Sequence, residues 1–198
     1  MSVGGRSSAA RNPLSEEELY EYAVRSLGRQ MRTAAELTRL LRRRVEPGEA
    51  GQAKIAAALG RLKERNYLDD TAFASTYARL RQENRSFGRR RVQQELARKG
   101  IHRELIASAV DAVYGGRSEE QLARAFVQRQ RIRKPGSEKE TARVVRKLAG
   151  AGFSFATISG ILKGWDVDPA AAGVEAAEAA EAAGSDEGGD SGPLNNED

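Results

Sequence analysis

The chain has 198 residues, of which 39% are apolar and 31% are charged, and its net charge is +5. It contains no cysteine, which excludes disulfide bonds and thiolate metal sites. It also lacks a run of about 18 apolar residues and the apolar core of a signal peptide, so we expect a soluble, cytoplasmic protein that does not enter a membrane.

The N-terminal part starts with a polar arm and continues into a first group of three helices. Residues 1–14 are mostly small or polar, too polar to pack, so we expect a flexible arm. Two matches to the capping box begin at Ser15 and Thr33 and predict helix starts, because each hydroxyl can accept from a free amide of the first turn. An apolar stripe over about residues 50–65 predicts a third helix and completes a predicted repeat over residues 15–68.

The central part is predicted to form a second repeat over residues 69–116. Asp69 and Asp70 precede an apolar stripe, and a short carboxylate at this position accepts the unpaired amides of a helix start. Gly100 supplies the left-handed residue that ends the second helix of this repeat. The inward face of its first helix is predicted to consist of Phe73, Ala74, Tyr77 and Leu80.

The C-terminal part is predicted to form a third repeat over residues 117–165. Capping boxes begin at Ser118 and Ser137, and a final apolar stripe over about residues 154–163 predicts the last helix.

An internal repeat with a period of about 50 residues relates these three groups. Gly100 and Gly152 mark the same turn in the second and third groups, whereas the first group lacks it. The fold class is therefore predicted to be all-α, an elongated array of three tandem three-helix repeats whose units are similar to helix-turn-helix domains. Like positions are occupied by Ala23, Ala74 and Ala123 in the first helices, and by Leu37 with Leu41, Val92 with Leu96 and Val144 with Leu148 in the second helices.

The charge is divided unevenly along the chain. Residues 166–198 contain ten acidic residues and no basic one, and we expect them to form a disordered acidic tail. Residues 1–165 then carry 33 basic and 18 acidic residues, a net charge of +15 that is typical of proteins that bind polyanions. The tail either competes with DNA for this basic body or only increases solubility.

Catalytic chemistry is not indicated by the sequence. The single histidine, His102, has no cysteine or second histidine with which to form a metal site or a nucleophile–base pair. The adjacent carboxylates Asp69 and Asp70 lie where a helix start favours anions. No phosphate-binding loop of the Walker type occurs. We therefore expect neither an enzyme nor a bound cofactor or metal.

The basic residues predict the binding site. They cluster on the second helix of each repeat and in the run after the seventh helix, and such a face would follow a phosphate backbone without reading bases. The alternative is a solvated helical surface. The candidate residues are Arg89, Arg90, Arg91, Arg98, Lys99, Arg131, Arg133, Lys134, Arg143 and Lys147.

The central stretch resembles the RecX family of bacterial proteins. The matching residues are Tyr67-Leu68-Asp69-Asp70, Phe73-Ala74, Glu95-Leu96 and Lys99-Gly100-Ile101, and the likeness extends from about Leu19 to about Leu162.

The resemblance implies a monomeric regulator of the recombinase RecA. It implies binding to the RecA filament and to single- and double-stranded DNA, and inhibition of recombinase and ATPase activity. The alternative is a helical DNA-binding transcriptional regulator, since three-helix units are also typical of that class.

Overall fold

The computed structural model describes residues 13–169, which form nine α-helices and no β-strand, as the all-α prediction requires. The predicted arm and tail lie largely outside these residues. No helix in the described range is long and apolar enough to cross a bilayer. The helices are α1 (Glu16–Arg29), α2 (Ala34–Leu41), α3 (Glu49–Glu64), α4 (Asp70–Arg85), α5 (Arg89–Arg98), α6 (Arg103–Tyr114), α7 (Glu119–Arg129), α8 (Glu138–Gly150) and α9 (Phe155–Lys163).

The first two capping boxes are confirmed. At the start of α1 the Ser15 hydroxyl accepts from the amide of Glu18, while the Glu18 carboxylate accepts from the amide of Ser15 at 2.9 Å. Thr33 and Glu36 make the same pair of hydrogen bonds at the start of α2. Both helices therefore begin where local side-chain chemistry satisfies free amides.

The two later boxes differ from the prediction. At α8 the Ser137 hydroxyl accepts from the amide of Glu140, but the Glu140 carboxylate accepts from the amide of Gly136 at 2.7 Å. At α7 the predicted helix start is confirmed, since Ser118 directly precedes the helix, but the box is wrong because the Ser118 side chain makes no capping hydrogen bond.

The two central aspartates cap different helices. Asp69 Oδ1 accepts from the amides of Thr71 and Ala72 at 2.8 and 3.0 Å, so Asp69 caps α4 as predicted. Asp70 Oδ1 instead accepts from the amide of Ala34 at 2.9 Å. Asp70 therefore links the start of α4 to the first turn of α2.

The described residues divide into two compact units. The first unit extends to Arg81 and also includes Val92–Gly116, and the second comprises Gln82–Arg91 and the chain from Arg117 onward. In the first unit α1, α2 and α3 pack against one another, and in the second α7 and α8 pack on α9. Because α4 and α5 contribute to both units, these units do not coincide with the predicted repeats, whose boundaries stay a prediction.

Buried apolar residues from α1, α2 and α3 form a core in the first unit. The prediction that Leu80 faces inward is wrong, because its exposed fraction is 43%. Ala74 and Ala78 are buried and lie one helical turn apart on the same side of α4. Leu80 therefore lies on the solvent side of the helix. The core cluster comprises Leu19, Tyr20, Ala23, Leu37, Leu41, Ile55, Ala58, Leu62 and Leu68.

Aromatic residues contribute to the core of the second unit. The ring of Phe126 packs edge-on against Phe153, with 5.6 Å between ring centroids, and Phe87 lies 6.3 Å from Phe126 on another side. Leu148 and Ile158 are fully buried in the same unit. Phe126 and Phe153 are buried, so their rings belong to the packing of the second unit.

In the first unit the end of α5 joins the start of α2. Gly100 has φ +78°, the left-handed conformation predicted for it. The carbonyl of Lys99 accepts from the Thr33 hydroxyl at 2.6 Å. A Cβ added to Gly100 would lie 2.4 Å from the Cβ of Ala35, so the two helix ends pack closely at this point.

The second unit contains the same kind of joint between the end of α8 and the start of α5. Gly152 has φ +89°, and the carbonyl of Ala151 accepts from the amide of Gly88 at 2.8 Å. A Cβ added to Gly152 would lie 2.4 Å from the backbone nitrogen of Arg91. In each joint, a left-handed glycine and the carbonyl before it contact the start of another helix, which is α2 for Gly100 and α5 for Gly152.

Candidate nucleic-acid interface

A basic cleft in the second unit brings together five of the ten predicted site residues. It lies between the loop that follows α7 and the exposed side of α8, and its volume is about 440 Å³. Its other lining residues include Gln130, Pro135 and Glu140. The five predicted residues that line it are Arg131, Arg133, Lys134, Arg143 and Lys147.

A left-handed turn at Arg131 starts the loop wall of the cleft. The amide of Arg131 donates to the carbonyl of Gln128, and the amide of Ile132 donates to that of Val127, both at 3.0 Å. This is the Schellman pattern of helix ends, in which glycine is the usual central residue. Arg131 has φ +51°, a conformation that costs a residue with a Cβ roughly 1–2 kcal/mol.

The exposed side of α8 forms the other wall of the cleft, and helix periodicity places its cations there. Arg143 and Lys147 are four residues apart and exposed, so their side chains lie on the same face of α8. Val145 and Leu148 are buried on the inward side. The apolar stripe that packs α8 therefore leaves these two cations facing solvent.

Glu140 is the only carboxylate among the lining residues of the cleft. Its Oε2 accepts from the backbone amide of Gly136, which holds the carboxylate at the start of α8. Lys134 has a weak ion pair with Asp166 at 3.8 Å, in which the two side chains are 55% and 95% exposed. Positive charge therefore dominates the lining.

The three predicted arginines at the start of α5 also belong to the second unit. Arg91 donates from Nη1 to the carbonyl of Gly150, and its guanidinium lies 4.6 Å from the ring centroid of Phe87. Arg89 is half-buried and Arg90 is exposed. Arg91 therefore contributes to the packing of α5 and α8, so a substitution there would change more than surface charge.

The remaining two predicted residues, Arg98 and Lys99, lie in the first unit. Arg98 is exposed in the last turn of α5. The Nζ of Lys99 lies 2.8 Å from a carboxylate oxygen of Glu36 and 5.5 Å from the ring centroid of Tyr77. Burial alone would raise the pKa of Glu36, but hydrogen bonds from Lys99 and the amide of Thr33 outweigh it and hold the pKa below its ordinary value.

Five lining residues of the cleft are not among the predicted site residues, and two of them, Gln130 and Glu140, are polar. Gln130 directly precedes the basic run, and its amide group can donate to an anion. In the sequence, its position between Arg129 and Arg131 is the feature that indicates a place in the basic site. The sequence predicts Glu140 only as part of a capping box, because its place beside the basic loop depends on how the chain turns after Pro135.

A carboxylate at the start of α7 holds the start of α9 in the second unit. Glu119 accepts from the amide of Ser154 at 3.0 Å and from the Thr157 hydroxyl at 2.6 Å, and the Ser154 hydroxyl also donates to it. Burial alone would raise the pKa of Glu119. The donors, together with the charge of Arg90, outweigh burial and keep this pKa below its ordinary value of 4.5.

Glu119→Gln is expected to lower the free energy of unfolding by about 1 kcal/mol near neutral pH, because the amide cannot accept from all three donors. A carboxyl whose pKa is lowered by folding stabilises the protein above its unfolded pKa, and this part is lost as the pH falls through its folded pKa. The difference between wild type and variant should therefore shrink as the pH falls below about 4.5 in urea unfolding curves. A difference that does not change with pH would contradict this role.

No group of three or more metal-ligating side chains occurs within residues 13–169. His102 precedes α6 and makes no capping hydrogen bond through its side chain.

Comparison with known proteins identifies the family. Residues 69–110 match the family model described as RecX, second three-helix domain. "Regulatory protein RecX" of Thermobifida fusca is 33% identical over 159 residues, covering 77% of this chain and 83% of the relative. The protein of the same name from Mycolicibacterium smegmatis is 33% identical over 138 residues, covering 68% and 70%.

Solved structures agree with the fold. A crystal structure of RecX from Lactobacillus salivarius matches with a TM-score of 0.61 at 19% identity, covering 76% of this chain and 96% of that one. A second crystal structure of regulatory protein RecX matches with a TM-score of 0.60 at 23% identity, covering 75% and 71%. Together with the similarity in sequence, these findings show that the chain belongs to the RecX family.

Proposed function

We propose that this protein binds the filament of the recombinase RecA together with its DNA and lowers the recombinase and ATPase activities of RecA. Membership of the RecX family supports the regulatory role. The observation that carries the DNA part is the cleft of the second unit, in which five cations surround a space of about 440 Å³.

The cleft suits a phosphate backbone. A cation that neutralises a phosphate releases condensed counterions, so a row of such contacts supplies affinity that is independent of base sequence. Arginine can also bind two phosphate oxygens at once. The arginine at position 131, where the backbone favours glycine, supports a role for its charge, since strained residues are common at functional sites.

This binding does not require chemistry on the DNA. A protein that occupies the filament can block its extension, and the proposed regulator acts by occupancy alone. In this proposal the cleft holds DNA phosphates, while Arg89, Arg90 and Arg98 are further candidates for contact with the filament. A transcriptional regulator would instead read base edges, which a phosphate-type cleft does not favour.

The double variant Arg143→Ala/Lys147→Ala tests the cleft. The expected result is weaker binding to single-stranded DNA, with a slope of log affinity against log salt that is shallower by about 1.4, or about 0.7 for each lost phosphate contact. The same variant should inhibit DNA-dependent ATP hydrolysis by RecA less strongly. Fluorescence anisotropy with labelled oligonucleotides of two unrelated sequences measures the first effect, and a coupled ATPase assay measures the second.

The matched control is Lys139→Ala/Arg146→Ala. These two residues are also exposed on α8 but do not line the cleft. The control removes the same charge from the same helix, so bulk electrostatics and helix propensity are nearly equal. Equal losses in the two variants would overturn the cleft assignment. Strong preference for one of the two oligonucleotides would favour the transcriptional alternative.

A further inference from the structure

A second basic groove lies in the first unit, where α1 ends and the chain turns into α2. We call it the α1–α2 groove. Its volume is about 300 Å³, and its lining includes three arginines and two neutral hydrogen-bonding side chains. These residues are Arg25, Arg29, Arg32, Ser26 and Gln30.

The arginines of this groove are partly preorganised. Arg32 is half-buried, and its Nε donates to the hydroxyl of Ser26 at 2.9 Å, which fixes the direction of the guanidinium. No carboxylate is among the lining residues. Glu21 pairs with Arg25 at 3.4 Å, but both side chains are about 60% exposed, so solvent weakens this pair. The groove therefore presents positive charge.

The internal repeat relates this groove to the basic cleft of the second unit. Arg29-Gln30 follows the buried Ala23 at the same spacing as Arg129-Gln130 follows the buried Ala123. Gln30 lines the groove and Gln130 lines the cleft. Likewise Leu40 lines the groove one residue before the buried Leu41, as Lys147 lines the cleft before Leu148. The two spaces therefore occupy like positions in the first and third repeats.

We propose that the α1–α2 groove is a second phosphate-binding site that takes phosphodiesters of a nucleic acid backbone. Guanidinium groups match the geometry of phosphate oxygens, and an amide and a hydroxyl beside them can complete the coordination. The identity of the ligand rests on the proposed function of the cleft, because like positions of a repeat are expected to meet like parts of a periodic ligand. A duplex or single strand is periodic in this way.

The double variant Arg25→Ala/Arg29→Ala, made in the full chain, tests the proposal. Both residues are exposed, so the fold should persist, which circular dichroism checks. The expected result is a salt slope for single-stranded DNA that is shallower by about 1.4. The matched control is Arg42→Ala/Arg43→Ala, which removes two exposed arginines from the turn after α2, outside the groove, and should change the slope by less than half as much.

A second variant separates geometry from bulk charge. Ser26→Ala keeps every charge but removes the hydrogen bond to Arg32. It should weaken affinity about threefold at an unchanged slope, since one orienting hydrogen bond is lost. An affinity equal to that of wild type would overturn the preorganised part of the proposal.

The remaining outcomes distinguish a failure of the groove proposal from a failure of the cleft proposal. Equal effects of the groove variant and its control would overturn the groove, whatever the cleft variants do. Unchanged DNA binding with weaker binding to DNA-free RecA would assign the groove to carboxylates of a protein partner and overturn the phosphate assignment. If the groove variant loses affinity while Arg143→Ala/Lys147→Ala matches its own control, the cleft assignment fails and the groove stands.

Discussion

Gly152→Ala is expected to destabilise the protein by about 3 kcal/mol. The residue has φ +89°, and a left-handed conformation costs alanine roughly 1–2 kcal/mol. The new methyl carbon would also lie 2.4 Å from the backbone nitrogen of Arg91 and 2.6 Å from its Cβ. Backbone atoms cannot move aside as a flexible side chain can, so the joint between α8 and α5 must open to admit it. Urea unfolding followed by circular dichroism measures the loss.

Gly150→Ala is the control for this prediction. Gly150 is the last residue of α8, and a Cβ added there meets no atom within 4 Å. Alanine at this position should be neutral or stabilising by up to about 1 kcal/mol, because it restricts the unfolded chain and favours the helix. Similar stabilities of the two variants would mean that the joint is not formed in solution.

Leu96→Ala is expected to cost roughly 2–5 kcal/mol, because truncation of a buried leucine leaves a cavity that the surrounding core fills only in part. Leu96 is 0% exposed in α5. The matched substitution Leu80→Ala removes the same atoms from a side chain that is 43% exposed, and should change stability by less than about 1 kcal/mol. Thermal and urea unfolding of both variants would measure the difference. A larger loss at Leu80 than at Leu96 would show that the helical phases of α4 and α5 are wrong.

Features that depend on neighbouring residues could be predicted from the sequence. The hydroxyl and carboxylate of the boxes at Ser15 and Thr33 are three residues apart, and the left-handed turn at Gly100 needs only a residue without a Cβ. Each of these predictions is confirmed. The prediction that Leu80 faces inward is wrong for a related reason. The apolar residues of α4 fit more than one helical face, and the sequence does not show which face packs on the core.

The site could be predicted only in part, because charge on a surface helix does not reveal what lies opposite it. Lys99 lies beside Glu36 after a separation of 63 residues, and Asp70 reaches the amide of Ala34. Neither contact leaves a local signal in the sequence. The cleft at Arg131, by contrast, is built from two short neighbouring segments, and five of its lining residues belong to the predicted basic face, whose role in binding stays a prediction.

The joints at Gly100 and Gly152 have a consequence for how such a protein can lengthen during evolution. One side of each joint consists of a glycine and a backbone carbonyl, and the other consists of a donor that precedes a helix, either the Thr33 hydroxyl or the Gly88 amide. A tandem duplication of residues 69–116 would copy both sides at once, because this segment contains both Gly88 and Gly100. A segment duplicated in this way would therefore carry both contact surfaces with it.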